Sequence, residues 1–182
     1  PVAAVTVLLL LSSYYSKKQK QVEILTAAAP FSPFDQVTIR TVTAGICFLL
    51  ISLVVILLAL LFYMRLFGFR NFAPFILPSV LLLLPCFILV NGLGQLLGSL
   101  HCGLIYVLMM AVLVLCNVTG VFDLFGAGYF SSVPLTLPAG ADGEPAFTVG
   151  AGFIAARLLY LALGAACIYL TAALSARKSR KA

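Results

Sequence analysis

The segment TVTAGICFLLISLVVILLALLFYM, residues 41–64, decides the fold class, because its 24 residues carry no charge. About 20 apolar residues in a helix cross a hydrocarbon core about 30 Å thick. In lipid, the backbone polar groups of such a segment must be satisfied within it, which favours a helix. The uninterrupted run LLISLVVILLALLF inside it does not show the alternation of a membrane β-strand. Residues 41–64 are therefore predicted to form a transmembrane helix.

The whole chain has the composition of a membrane protein. It is 63% hydrophobic and 9% charged over 182 residues, with a mean hydropathy of +1.19. Soluble domains are about 45–50% apolar and about 25% charged. Further spans are predicted at 75–97, 102–122 and 151–176, with a partial span at 1–15. The predicted fold is an all-α, polytopic helical membrane protein, with residues 1–182 forming a single transmembrane domain.

Residues 1–15 are too short for a full span, and the chain does not begin with Met. No basic region precedes them and no small-residue cleavage site follows, so a signal peptide fits poorly. We expect these residues to be the end of a span that begins before Pro1. The chain is then expected to be a piece of a longer protein.

The distribution of Lys and Arg predicts the orientation of the spans. With alternating spans, one side of the membrane carries eight basic residues and the other carries three, Arg157 included. The eight are Lys17, Lys18, Lys20, Arg40, Arg177, Lys178, Arg180 and Lys181, and the three are Arg65, Arg70 and Arg157. The positive-inside rule places residues 16–40 and the C-terminus in the cytoplasm. This asymmetry also explains the net charge of +6, so no nucleic-acid partner is predicted.

Residues 16–40 form the longest polar stretch and contain the signals of a bend between two helices. Pro30 should end or bend a helix that continues from the first span. In the sequence S-P-F-D, Ser32 is suited to the N-cap, Pro33 to the first helical position, and Asp35 follows three residues after the cap. A second helix is therefore predicted to begin at Pro33 and lead into the span at 41–64. We call residues 16–40 the elbow.

The elbow resembles the cytoplasmic loop of type-2 ABC transporter permeases. In that family a charged helix containing E-x-L is followed by T/A-P-x-S and a short helix, and the segment KQKQVEILTAAAPFS, residues 18–32, has this order. The matching residues are Glu23, Leu25, Ala29, Pro30 and Ser32. The resemblance implies that the elbow couples the membrane domain to an ATPase subunit. A loop that merely turns between two spans is the alternative interpretation.

The order of the other segments also resembles that family, which has six spans. If 1–15 ends the second span, the spans at 41–64, 75–97, 102–122 and 151–176 become the third to sixth, and the first is missing. The sequence GSLH at 98–101 then corresponds to a tight cytoplasmic turn, and 123–150 to an external re-entrant hairpin. Residues 123–150 combine aromatic residues with Gly and Pro, which fits such a hairpin. An external loop resting on the bilayer is the alternative.

The resemblance implies that the chain is the permease subunit of an ATP-driven exporter. It also implies that this exporter lies in a bacterial cell membrane. A second permease copy or a homologous half would complete the substrate path. ATP and Mg would bind to the cytoplasmic ABC ATPase, and this chain would bind no cofactor. The implied contact with the ATPase consists of Glu23, Leu25, Ala29, Pro30, Ser32, Pro33, Phe34 and Asp35.

Catalytic and metal-binding residues are not predicted. The sequence has no G-x-x-x-x-G-K-[ST] phosphate loop and has a single His, around which no catalytic triad can be assembled. Two pairs of residues in the span at 75–97 and just after it are candidates for lining a path or for helix packing. They are the amides Asn91 and Gln95, one helical turn apart, and the glycines Gly94 and Gly98.

Three other functions stay open from the sequence. A non-transporting membrane scaffold or assembly protein would use the elbow only as a loop. A small secondary transporter is disfavoured because the predicted spans contain no carboxylate, which is the usual mark of ion coupling. A membrane-embedded enzyme is disfavoured by the lack of suitable residues.

Overall fold

The computed structural model describes residues 2–16, 33–67, 73–117 and 151–179, which form five α-helices. These are α1 (Val2–Tyr14), α2 (Pro33–Phe67), α3 (Ala73–Leu100), α4 (Cys102–Asn117) and α5 (Ala151–Ser179). Among the described residues, only Tyr15, Ser16 and His101 lie outside a helix. The prediction of an all-α fold is therefore confirmed for this part of the chain.

Three of the helices are long and apolar enough to cross a membrane. The segments are Phe34–Phe62 in α2, Ser79–Leu100 in α3 and Ala151–Arg177 in α5. The described parts of α1 and α4 contain shorter apolar segments, Ala3–Tyr14 and Cys102–Val114. Three of the five predicted spans are therefore helices of full length among the described residues. The other two predicted spans, 1–15 and 102–122, lie partly outside the described residues.

Helix α3 lies at the centre of the bundle. It packs most extensively against α5 and also contacts α1, α4 and α2. The core around it is formed by large apolar side chains from several helices, among them Leu8, Leu11, Phe48, Val90 and Ile105. The rings of Phe48 and Phe87 stack at a centroid distance of 5.0 Å, which joins α2 to α3.

Helices α2 and α5 leave most of their apolar surface outside the bundle. Only 12% of the apolar segment in α2 and 11% of that in α5 is buried, compared with 44% in α3. Leu49, Leu58 and Leu158, for example, are more than half exposed. Apolar surface on this scale belongs against lipid or another protein rather than against water.

Side-chain contacts show which helix ends lie together. The start of α2 approaches α5 through Phe34 and Tyr169, whose ring centroids are 6.4 Å apart. The guanidinium of Arg40 lies 5.2 Å from the ring of Tyr15, just after α1, and Tyr15 also packs at Gly98, near the end of α3. One end of the bundle therefore contains the end of α1, the start of α2, the end of α3 and the C-terminal half of α5.

A single residue, His101, joins α3 to α4. Its backbone N–H donates to the carbonyl of Leu97 at 2.9 Å, and its own carbonyl accepts from the N–H of Leu104 at 3.0 Å. Its Nδ1 accepts from the N–H of Gly103 at 3.1 Å, so the imidazole caps the first turn of α4. The tight turn predicted at 98–101 is therefore narrower, because Gly98, Ser99 and Leu100 belong to α3.

Two helix boundaries bear on the elbow and on the central helix. Helix α2 begins at Pro33, the position that the S-P-F-D sequence indicates, because Pro is preorganised for the first helical position. Helix α3 starts at Ala73 and ends at Leu100, so it extends beyond the predicted 75–97 at both ends and continues through Pro78 and Pro85.

Two predicted features lie outside the described residues. They are residues 17–32 of the elbow and residues 118–150, which include the predicted hairpin.

Candidate functional site

The described part of the elbow is the start of α2. The predicted contact residues Glu23, Leu25, Ala29, Pro30 and Ser32 lie outside the described residues. Pro33 is the first residue of α2, and Asp35 lies in its first turn, where a carboxylate interacts favourably with the helix dipole. Phe34 and Asp35 are both exposed. An aromatic ring and a carboxylate are therefore exposed at this end of the bundle.

Helix α2 is longer than a bilayer requires. Its 35 residues give a length of about 50 Å at 1.5 Å per residue. A hydrocarbon core is about 30 Å thick, so part of the helix must extend beyond it. The polar residues Asp35, Gln36, Thr38 and Arg40 are gathered in the first turns of α2, which identifies the end that extends.

Arg40 connects this end of α2 to the end of α1. Its guanidinium carbon lies 5.9 Å from the ring centroid of Tyr14 and 5.2 Å from that of Tyr15. A cation over an aromatic face within about 6 Å is attracted by the ring quadrupole. Because Tyr14 and Tyr15 are consecutive, Arg40 contacts both rings where the chain leaves α1.

The next residue of α2, Thr41, belongs to a polar cluster whose two amides are buried. We call Thr41, Asn91 and Gln95 the amide cluster. Gln95 Nε2 donates to Thr41 Oγ1 at 2.8 Å and lies 3.4 Å from Asn91 Oδ1, while Thr41 Oγ1 donates to the carbonyl of Val37 at 2.9 Å. Asn91 and Gln95 are both 0% exposed. Gln95 therefore joins α3 to α2, and neither amide faces an opening among the described residues.

Two polar atoms of the amide cluster are not satisfied by these bonds. Within the described residues, Asn91 Nδ2 and Gln95 Oε1 have no hydrogen-bond partner. A buried polar group in this state costs about 1–3 kcal/mol. One atom is a donor and the other is an acceptor, so the cluster has a matched pair of unused bonding groups.

Gly94 and Gly98 lie where α1 packs against α3. A Cβ at Gly94 would come within 2.7 Å of Leu11 Cδ1 and 2.9 Å of Leu8 Cδ2. A Cβ at Gly98 would come within 2.5 Å of Tyr15 Cδ2. Both glycines therefore leave room for side chains of the end of α1, and neither faces an opening in the described part of the bundle.

A second glycine contact was not predicted from the sequence. Gly92 of α3 and Gly164 of α5 meet, and a Cβ at Gly164 would lie 2.5 Å from the carbonyl oxygen of Ile88. A glycine inside an apolar helix costs about 1 kcal/mol relative to Ala and therefore calls for a packing reason. That signal was present at both positions, but the sequence does not indicate which glycines meet.

The burial of Arg157 was not predicted from the sequence. The charge distribution counts it with the minority side, near the start of the span at 151–176, and the structure places it in α5 with only 3% of its surface exposed. Its guanidinium carbon lies 4.7 Å from the ring of Phe153 and 5.3 Å from that of Tyr160. These rings come from four residues before and three residues after Arg157, so the helical spacing F-x-x-x-R-x-x-Y was the available signal.

Among the described residues, no group of three His, Cys, Asp or Glu side chains is arranged to hold a metal ion. Comparisons with known protein families, with curated proteins and with solved structures give no match to this chain. The function must therefore be argued from the residues and their geometry.

Proposed function

We propose that this chain is a permease subunit of an ATP-driven ABC-type exporter. The substrate path would lie between its helices and those of a second permease copy or a homologous half. A separate cytoplasmic ATPase would bind ATP and Mg and would contact the elbow. The resemblance of residues 18–32 to the permease loop motivates this proposal.

The observation that carries the proposal is the continuity of α2. The helix begins at Pro33, directly after the elbow residues that resemble the family, and runs without interruption to Phe67. Its first turn exposes Phe34 and Asp35. A continuous helix is a rigid element on the length scale of a bilayer, so a push on its start would tilt the whole span.

The start of α2 is also connected to three other helices. Phe34 contacts Tyr169 of α5, Arg40 contacts the tyrosines at the end of α1, and Thr41 accepts a hydrogen bond from Gln95 of α3. These links all lie within the first three turns of α2. A displacement of the elbow would therefore act on the bundle and not on α2 alone.

The exposed faces of α2 and α5 are compatible with a paired assembly. Both helices leave most residues of their apolar segments unburied within one chain and carry many exposed apolar side chains. In an assembled exporter, part of this surface would face lipid and part would face the second permease. Closure of the ATPase pair on ATP would push on the elbows and move the substrate outward.

A crosslinking experiment tests the contact with the ATPase. A photoreactive amino acid replaces Phe34 in the full chain, in its native membrane, and the crosslinked proteins are identified by mass spectrometry. Phe62 is the matched control, because it is an exposed Phe on the same helix about 42 Å away. Position 34 should capture a protein that contains a G-x-x-x-x-G-K-[ST] motif, and position 62 should not.

ATP hydrolysis by the purified complex tests the coupling between the elbow and the ATPase. Asp35→Ala should lower the ATPase activity of the reconstituted complex at unchanged protein level, because it removes the charge at the exposed start of α2. Arg65→Ala, an exposed charge near the other end of α2, should leave the activity unchanged. Capture of no ATPase at position 34, together with normal abundance of the protein, would instead support the membrane scaffold.

A further inference from the structure

The amide cluster contains two unused bonding groups of opposite kind. Asn91 Nδ2 is a donor and Gln95 Oε1 is an acceptor, and neither has a hydrogen-bond partner within the described residues. The two amide groups already approach each other through their other ends, with Gln95 Nε2 at 3.4 Å from Asn91 Oδ1. The unused atoms therefore belong to neighbouring groups in one buried place.

Reversing either amide does not remove the mismatch. With the oxygen and nitrogen of Asn91 exchanged, two N–H donors would face each other at the 3.4 Å contact. With those of Gln95 exchanged, two acceptor oxygens would face each other there. Exchanging both amides would require Thr41 Oγ1 to turn its hydrogen from Val37 to Gln95, and it would again leave one donor and one acceptor. The orientation in the structure keeps the bond to Val37.

The surroundings favour a small neutral ligand. The residues next to Asn91 and Gln95 on α3 are Val90, Gly92 and Gly94, and Gly94 packs against leucines of α1. Transfer of a charge into such an apolar environment is far more costly than transfer of a neutral hydrogen-bonding group. A water molecule is the smallest neutral ligand that both donates and accepts hydrogen bonds. Buried waters typically bridge polar groups that are otherwise unsatisfied.

We infer that Asn91 and Gln95 bind a single buried water molecule, which accepts a hydrogen bond from Asn91 Nδ2 and donates one to Gln95 Oε1. The water would satisfy both amides while Gln95 Nε2 keeps its bond to Thr41. This inference stands on the amide cluster alone and does not depend on the proposed transport function.

Solid-state NMR on the protein in lipid bilayers tests this site. The chain has three asparagines, Asn71, Asn91 and Asn117, so the variant Asn71→Ser/Asn117→Ser labelled with ¹⁵N-asparagine reports on Asn91 alone. Magnetisation transferred from water should reach the Asn91 side-chain amide at mixing times shorter than its hydrogen exchange. Absence of that transfer would overturn the inference.

A substitution of the acceptor separates a bridging water from general wetting. Gln95→Met keeps the length of the side chain but removes both polar atoms, so the transfer to Asn91 should be lost. Gln36→Met, at a half-exposed glutamine of α2, is the control and should leave the transfer unchanged. If magnetisation transfer to Asn91 persists in Gln95→Met, water reaches Asn91 without bridging to Gln95, and the inferred site is overturned. The measurement without the Gln95 substitution decides the question even if Gln95→Met does not accumulate.

Discussion

Gly92 of α3 and Gly164 of α5 touch backbone to backbone. A Cβ added to Gly92 would meet the carbonyl group of Gly164, and one added to Gly164 would lie 2.5 Å from the oxygen and 2.6 Å from the carbon of the Ile88 carbonyl. Such contacts with backbone cannot be relieved by a side-chain rotation. Small residues allow membrane helices to approach closely and to gain van der Waals contact. The packing of α3 against α5, the most extensive among the described helices, therefore requires glycine at both positions.

The first prediction follows from this contact. Gly164→Ala should destabilise the protein by about 1–3 kcal/mol, the range for overpacking, because α5 must move away from α3. The control is Gly152→Ala on the same helix, where nothing lies within 4 Å of the added Cβ. Thermal unfolding of both variants in lipid nanodiscs gives the comparison. Equal stability of the two variants would contradict the close contact.

The second prediction concerns the hydrogen bond between Thr41 and Gln95. A double-mutant cycle with Thr41→Val and Gln95→Met should give a coupling energy of about 0.6–1.7 kcal/mol, the range for polar side-chain contacts in membrane proteins. Thr38→Val is the control, because Thr38 bonds its own helix at Phe34 in the same way but is exposed. Unfolding in mixed micelles measures the cycle. Coupling no larger than that of Thr38→Val with Gln95→Met would contradict the assigned bond.

The third prediction concerns Arg157. Arg157→Lys should lower stability by about 0.5–2 kcal/mol, because an ammonium group cannot spread over the rings of Phe153 and Tyr160 as a planar guanidinium does. Arg177→Lys, at an exposed position near the end of α5, should have no effect. Both variants keep the charge, so a comparison of their thermal unfolding reports what the guanidinium group adds at position 157. If the two substitutions have the same effect, the ring contacts do not stabilise α5.

The fourth prediction concerns orientation and rests on the distribution of basic residues. Single cysteines replace Lys18, Asp142 or Ser179 in a chain from which the five native cysteines have been removed. In intact cells, an impermeant thiol reagent should label position 142 only, and positions 18 and 179 should react after permeabilisation. Labelling of position 18 or 179 in intact cells, with none at 142, would reverse the orientation.

The helical class could be predicted from the sequence because length and lipid leave few alternatives. An uncharged run as long as 41–64 can satisfy its backbone in a bilayer only as a helix, and Pro33 indicated where α2 begins. The rotation of each helix could not be predicted in the same way. Helices α2 and α3 are apolar on nearly all sides, so no polar face shows which side is buried.

The candidate site was predictable only where its members are close in sequence. The spacing of Asn91 and Gln95 places them on one face of α3, as the structure shows. Thr41, the partner of Gln95, is 54 residues away in sequence, and no local pattern connects the two positions. The burial of Arg157 was not predicted, because the distribution of charges along the chain does not register two aromatic rings on the same helix.

The joint at His101 has a consequence for biosynthesis. Because a single residue separates them, the end of α3 and the start of α4 cannot move apart by more than about 7 Å, the reach of two residues. In biosynthesis the two helix ends are therefore joined from the start, and α4 cannot be placed independently of the end of α3. Replacement of His101 would in addition remove the imidazole that caps the first turn of α4.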